Sequence, residues 1–134
     1  MREVQEVVDR YIATWNESDP TKRRELIGQT WTEEGQYLDP LMAGEGRDGI
    51  DAMIQSVQAQ FPGYRFRRTS EIDAHHDRVR FSWELGPEGG VPLAGGLDVG
   101  VIADGRLRSV TGFLDYAPSP DGQYRRRCTA VALT

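Results

Sequence analysis

At 134 residues and 15.1 kDa the chain is sized for one domain able to close a core without disulfides or structural metal. A net charge of −5 and a pI near 5.0 leave no basic face for phosphate, so nucleic acid is not an expected partner. The single cysteine, Cys128, excludes an internal disulfide and a cysteine-based zinc site. Acids at Glu3 and Glu6 occupy the place of a signal peptide's apolar core, and no apolar run nears a membrane span, so a cytoplasmic protein is expected.

Val4, Val7, Val8, Tyr11, Ile12 and Trp15 lie on one helical stripe, with Glu3, Glu6, Asp9 and Arg10 between them. This first helix is expected to stop near Ser18. Asp19-Pro20 then supplies an N-cap and a first-turn proline for a second helix over about 20–29. Its cations Lys22, Arg23 and Arg24 read as a solvated face, with Leu26 and Ile27 turned inward. The stretch 31–35 reads as a turn, 36–39 as a short strand ended by Pro40, and 44–48 as a loop in which Asp48 caps a third helix. Ile50, Met53, Ile54, Val57 and Phe61 form that helix's apolar stripe, and Pro62-Gly63 ends it.

From Tyr64 to Tyr116 the pattern is sheet. A turn at His76-Asp77 brings Ile72 opposite Phe81 and Ser70 opposite Trp83, so that the apolar faces coincide. The run 93–116 holds a hairpin turning at Asp104-Gly105, since both turn positions favour positive φ. Pairing Ala103 with Arg106 then predicts Asp98 opposite Thr111. Gly96, Gly100 and Ile102 would lie beside Asp98, with Phe113 and Asp115 across from it. A mid-strand carboxylate among glycines suggests a curved sheet with a pocket, although a solvated face fits the pattern equally. Residues 117–134 form a C-terminal extension, either a further strand or an irregular end. Helices followed by an antiparallel meander give an α+β fold, three N-terminal helices covering one face of a curved antiparallel sheet.

Arg10-Tyr11-Ile12-Ala13 through Asn16, Tyr37-Leu38-Asp39-Pro40, and Leu97-Asp98 followed by Asp104-Gly105 together resemble the nuclear transport factor 2-like superfamily. Within it, the chain is most similar to the ketosteroid isomerase and SnoaL-like polyketide cyclase branch. The resemblance spans about 4–116 and implies a cone-shaped α+β fold with a ligand pocket, often paired into homodimers through the sheets. It implies that Asp39 resembles the isomerases' general base, and that Tyr11 and Asp98 resemble the donors of their oxyanion hole. Asp115, Arg68, Trp83 and Phe113 are expected against the substrate, with Asp115 or Asp98 in the place of the cyclases' acid/base.

The implied activity is cofactor-free acid/base chemistry, isomerisation or cyclisation, on a small apolar carbonyl compound. The alternative is a non-catalytic small-molecule-binding or dimerising protein of the same fold. No metal set is expected, because His75 and His76 are adjacent at a turn and the acids are scattered. Gly44-Glu45-Gly46 lacks the lysine and the strand–helix setting of a phosphate loop. Gly96 stands where limonene-epoxide-hydrolase relatives carry an arginine, which argues against epoxide hydrolysis.

Overall fold

A computed structural model describes residues 2–118 and 124–126. Helices α1 (Arg2–Asn16), α2 (Pro20–Thr30) and α3 (Gly46–Gln60) cover one face of a curved sheet. The strands are β1 (Trp31–Leu38), β2 (Ala43–Glu45), β3 (Tyr64–Arg68), β4 (Asp73–His75), β5 (Arg78–Pro87), β6 (Ala94–Ala103), β7 (Arg106–Pro118) and β8 (Tyr124–Arg126). Their order is β2-β1-β7-β6-β5-β3, with β4 beside β5 and β8 beside β7. All pairs are antiparallel except β1 with β7, so the expected antiparallel sheet is in fact mixed. This parallel pair lays the end of β1 alongside the centre of β7. Within the extension, Tyr124–Arg126 pairs with 116–118, while 119–123 and 127–134, including Cys128, lie outside the described residues.

The helices form for the reasons their sequences give. Asp19 accepts hydrogen bonds from the Thr21 and Lys22 amides at 2.9 and 3.2 Å, and Pro20 opens α2. Val7, Val8, Tyr11 and Trp15 of α1 join Ile50, Ile54 and Val57 of α3 in the core against Val79, Phe81 and Val110. Asn16, the last residue of α1, fastens it to β3: its side chain donates to the Phe66 carbonyl at 2.9 Å and accepts from the Phe66 amide at 2.8 Å.

Four local readings change. The segment 31–35 is not a turn; it is the first part of β1, with an irregularity between Trp31 and Gln36, and the Trp31 ring lies over Gly35. Residues 43–45 form β2, and Asp48 sits inside α3 instead of capping it. Arg23 does not belong to a solvated face. It is 2% exposed and donates to Asp51 at 2.7 Å, to the Glu17 carbonyl and to Gln58, a set of partners that a buried guanidinium requires. Ser70 does not oppose Trp83, because Arg68 does. The β4–β5 register matches the expected hairpin, and β3 is offset from it by two residues, which preserves which face each side chain takes.

The central hairpin turns at Asp104-Gly105, both with positive φ, and pairs Ala103 with Arg106 as expected. Beyond that the register departs. Ile102 faces Leu107 and Val101 faces Ser109, leaving Arg108 as an extra residue on β7. Asp98 therefore lies opposite Gly112, not Thr111. A second irregularity, between Gly95 and Gly96, leaves Asp115 unpaired between Leu114 and Tyr116. The first bulge inverts the alternation of β7. Phe113 and Asp115, expected on the face of Asp98, are exposed on the opposite one.

Candidate active site

A cavity of about 650 Å³ lies between the helices and the concave face of the sheet. Its walls are mainly apolar and aromatic: Trp15, Phe61, Phe66, Trp83, Leu85 and Leu114 are representative. Tyr11, Tyr37, Asp39 and Asp98 also line it. Sheet order explains why the two acids meet. β7 runs between β6, which carries Asp98, and β1, which ends just before Asp39, and at that level β7 has Gly112. A Cβ placed on Gly112 would lie 2.9 Å from Asp98 Oδ1, 3.1 Å from the Tyr37 hydroxyl and 3.2 Å from the Asp39 Cβ. The missing side chain is the space around which the acids are grouped.

Each acid holds a tyrosine. Tyr11 donates to Asp98 Oδ2 at 2.6 Å, and Tyr37 donates to Asp39 Oδ2 at 2.6 Å. Asp98 accepts a further hydrogen bond at Oδ1 from the Trp83 indole N–H at 3.0 Å. Asp39 Oδ1 accepts from the amides of Leu41 and Met42 at 2.8 and 2.9 Å, a turn held by the aspartate's own side chain. The Tyr11 ring is wedged edge-on among Trp15, Trp31 and Phe81 at centroid distances of 6.4, 6.1 and 5.8 Å, which fixes where its hydroxyl points.

The electrostatics follow from this packing. Burial pushes the Asp98 carboxyl up to about 7, against the pull of the hydrogen bonds from Tyr11 and Trp83, and the charge of Asp39 adds to the rise. Burial, and then the nearby Asp98, raises the Tyr11 hydroxyl well above its ordinary value. Tyr37 rises for the same first reasons, with Asp39 contributing. Both phenols consequently remain hydrogen-bond donors across the neutral range. Asp98 can exchange a proton there.

The structure brings Tyr11, Asp39, Asp98 and Trp83 together on the cavity. It does not bring Phe113 or Asp115, which the bulge at Arg108 sends to the outer face. Arg68 shares the inward phase of Phe66 but is not among the residues lining the cavity, and its guanidinium donates to the Ser70 carbonyl. Two participants escaped the sequence reading. Tyr37 stands two residues before Asp39 on one strand face, a spacing that could have revealed it. Gly112 carried no signal, because its place depends on the bulge and on the parallel β1–β7 pair. Among the described residues, no three His, Cys, Asp or Glu side chains are placed to share a metal ion, and no helix is long and apolar enough to cross a membrane.

Residues 8–110 match the SnoaL-like domain family. The chain belongs to the SnoaL-like family. Its fold is that of the nuclear transport factor 2-like superfamily, as the sequence resemblance implied. A candidate isomerase of the SnoaL-like family from Agrobacterium tumefaciens is 46% identical. It superposes with a TM-score of 0.81, covering 86% of this chain and 99% of that one. Two more distant structures, each 20% identical, share the SnoaL-like fold. One is a candidate SnoaL-like polyketide cyclase from Jannaschia, with a TM-score of 0.69 over 85% of this chain and 86% of its own. The other is a candidate ketosteroid isomerase from Kribbella flavida, with a TM-score of 0.66 over 89% and 82%. No curated protein matches the sequence.

Proposed function

We propose that this SnoaL-like protein is a cofactor-free acid/base enzyme acting on a small apolar carbonyl compound, by isomerisation or intramolecular aldol closure. The observation that carries the reading is the pair of aspartates flanking Gly112 at an otherwise largely apolar cavity, each held differently. The names of the Agrobacterium, Jannaschia and Kribbella structures support the same two reaction classes.

In this reading Asp39 takes a proton from carbon next to the carbonyl. Its Oδ1 is filled by two amides, so the remaining lone pair of Oδ2 is the one that acts. The C–H electron pair moves into the enolate, whose oxygen is met by Tyr11 and protonated Asp98. Isomerisation is completed when Asp39 returns the proton at another carbon. In cyclisation the enolate carbon instead attacks a second carbonyl of the same molecule, and the new alkoxide takes a proton from the site. Asp98 serves because about half of it is protonated near neutrality.

The test is an absorbance titration with substituted phenols, which mimic an enolate, followed by turnover of enolisable ketones. Phenol binding is expected to weaken strongly in Tyr11→Phe and Asp98→Ala, with turnover falling by roughly 10²–10³ for a lost donor. Asp39→Asn should keep phenol binding and lose turnover. Binding that ignores both donor substitutions would instead support the non-catalytic, ligand-binding alternative.

We also propose a homodimer through the convex face of the sheet. Leu97, Val99 and Val101 lie there beside Phe113 and Leu38, and the last two are 42% and 56% exposed.

A further inference from the structure

We propose that Trp83 is a positioning residue for Asp98: its indole N–H occupies one carboxyl oxygen and confines proton exchange with a bound ligand to the other, the oxygen shared with Tyr11. The proposal extends the acid/base reading of this site, but its test observes Asp98 without any turnover.

Strand register sets the distance between the indole and the carboxyl. Trp83 on β5 pairs with Gly96 on β6, and Phe81 pairs with Asp98. Trp83 and Asp98 are thus diagonal neighbours on the concave face, a separation that only a long side chain spans. Gly96 makes the span possible. A Cβ there would fall 3.0 Å from Trp83 Cζ2 and 2.0 Å from the Phe113 carbonyl oxygen, so any other residue would displace both the indole and β7. The irregularity between Gly95 and Gly96 brings the β7 backbone to this close approach. The indole therefore leans along the sheet and reaches Asp98 Oδ1 at 3.0 Å.

The chemistry follows from the donor inventory. An indole N–H donates and never accepts, so Oδ1 is held as an acceptor in both charge states of Asp98. A proton on this carboxyl then resides on Oδ2, 2.6 Å from the Tyr11 hydroxyl. That phenol can reverse its role, accepting from Oδ2 and turning its own hydrogen toward the cavity. A carbonyl oxygen docking in the cavity would meet the Oδ2–Tyr11 side alone. The titratable groups facing Asp98 are Tyr11 from α1, Tyr37 from β1 and Asp39 just after β1; β5 and β7 face it with Trp83, Phe81 and Gly112.

The experiment follows the indole N–H resonances of Trp15, Trp31 and Trp83 in the ¹⁵N-labelled full chain from pH 5 to 9. The resonance absent from Trp83→Phe is expected to titrate with a midpoint near 7 in wild type and to stop titrating in Asp98→Asn. In Trp83→Phe, the ¹³C-carboxyl titration of Asp98 should move upward by roughly 1 pH unit, because a hydrogen bond to the charged form is lost. The pH profile of phenol binding should move with it. An indole resonance that stays flat through neutrality, or that titrates equally in Asp98→Asn, would overturn the proposal. The Asp98→Asn arm leaves Trp83 intact, and sequential resonance assignment identifies its indole where Trp83→Phe does not fold, so that arm decides the matter. Loss of carbonyl turnover with the titration intact would remove the proposed activity and leave the positioning role standing.

Discussion

The two faces of the β6–β7 hairpin carry acids in opposite circumstances. On the concave face Asp98 is 4% exposed and held by Tyr11 and Trp83; on the convex face Asp115 is exposed and sits in the bulge between Leu114 and Tyr116. Simple alternation from the Asp104-Gly105 turn puts both on one face. A single extra residue, Arg108, separates them. Position along a strand therefore says less about a carboxylate than the count of bulges between it and its turn. The fate of Asp98 is decided by what the inserted residue brings opposite it: Gly112, and through Gly112 the neighbouring Asp39.

The largest expected effect tests whether Asp98 is truly the costly acid. Its folded value, about 7, lies above the ordinary 3.8. A group raised in this way favours the folded state while protonated, so its contribution is full below about 3.8 and is lost as pH rises through 7. The difference corresponds to about 4 kcal/mol. Urea denaturation between pH 4 and 8 should show wild type losing roughly that much stability relative to Asp98→Asn; parallel curves for the two proteins would refute the burial argument.

A smaller effect tests the gap between the acids. Gly112→Ala would place a methyl group 2.9 Å from Asp98 Oδ1 and 3.1 Å from the Tyr37 hydroxyl. A cost of about 1–3 kcal/mol in chemical denaturation is expected, together with weaker phenol binding. Wild-type stability and affinity in this variant would mean that the acids are not grouped around that space.

The convex face should give the smallest effect on the fold. Phe113→Glu is expected to change monomer stability by no more than about 0.5 kcal/mol. In sedimentation equilibrium it should nevertheless turn the proposed dimer into a monomer. An unchanged mass for the variant would remove this face as the contact.

Much of the fold was legible in the chain. The stripes of α1 and α3, the Asp19-Pro20 start of α2 and the Asp104-Gly105 turn follow from local chemistry, so these periods, the Asp19 cap and the turn survive folding unchanged. Tyr11 and Asp98 were visible as a phenol on an apolar stripe and an acid among glycines. Arg23 was misread because a cation on a short helix looks solvated until Asp51 arrives from another helix. Phe113 and Asp115 were misplaced because nothing near Arg108 marks it as the extra residue.

By itself the sequence determined the three helices, most of the strands, the Asp104-Gly105 turn and which residues could supply acid/base chemistry. These properties depend on neighbours within a few positions. Only the tertiary structure decided that β1 runs parallel to β7, that Gly112 leaves room between Asp39 and Asp98, and that Trp83 reaches across an empty glycine to hold one oxygen of Asp98. Those outcomes depend on strand pairing between distant segments, where a one-residue bulge reverses every face beyond it.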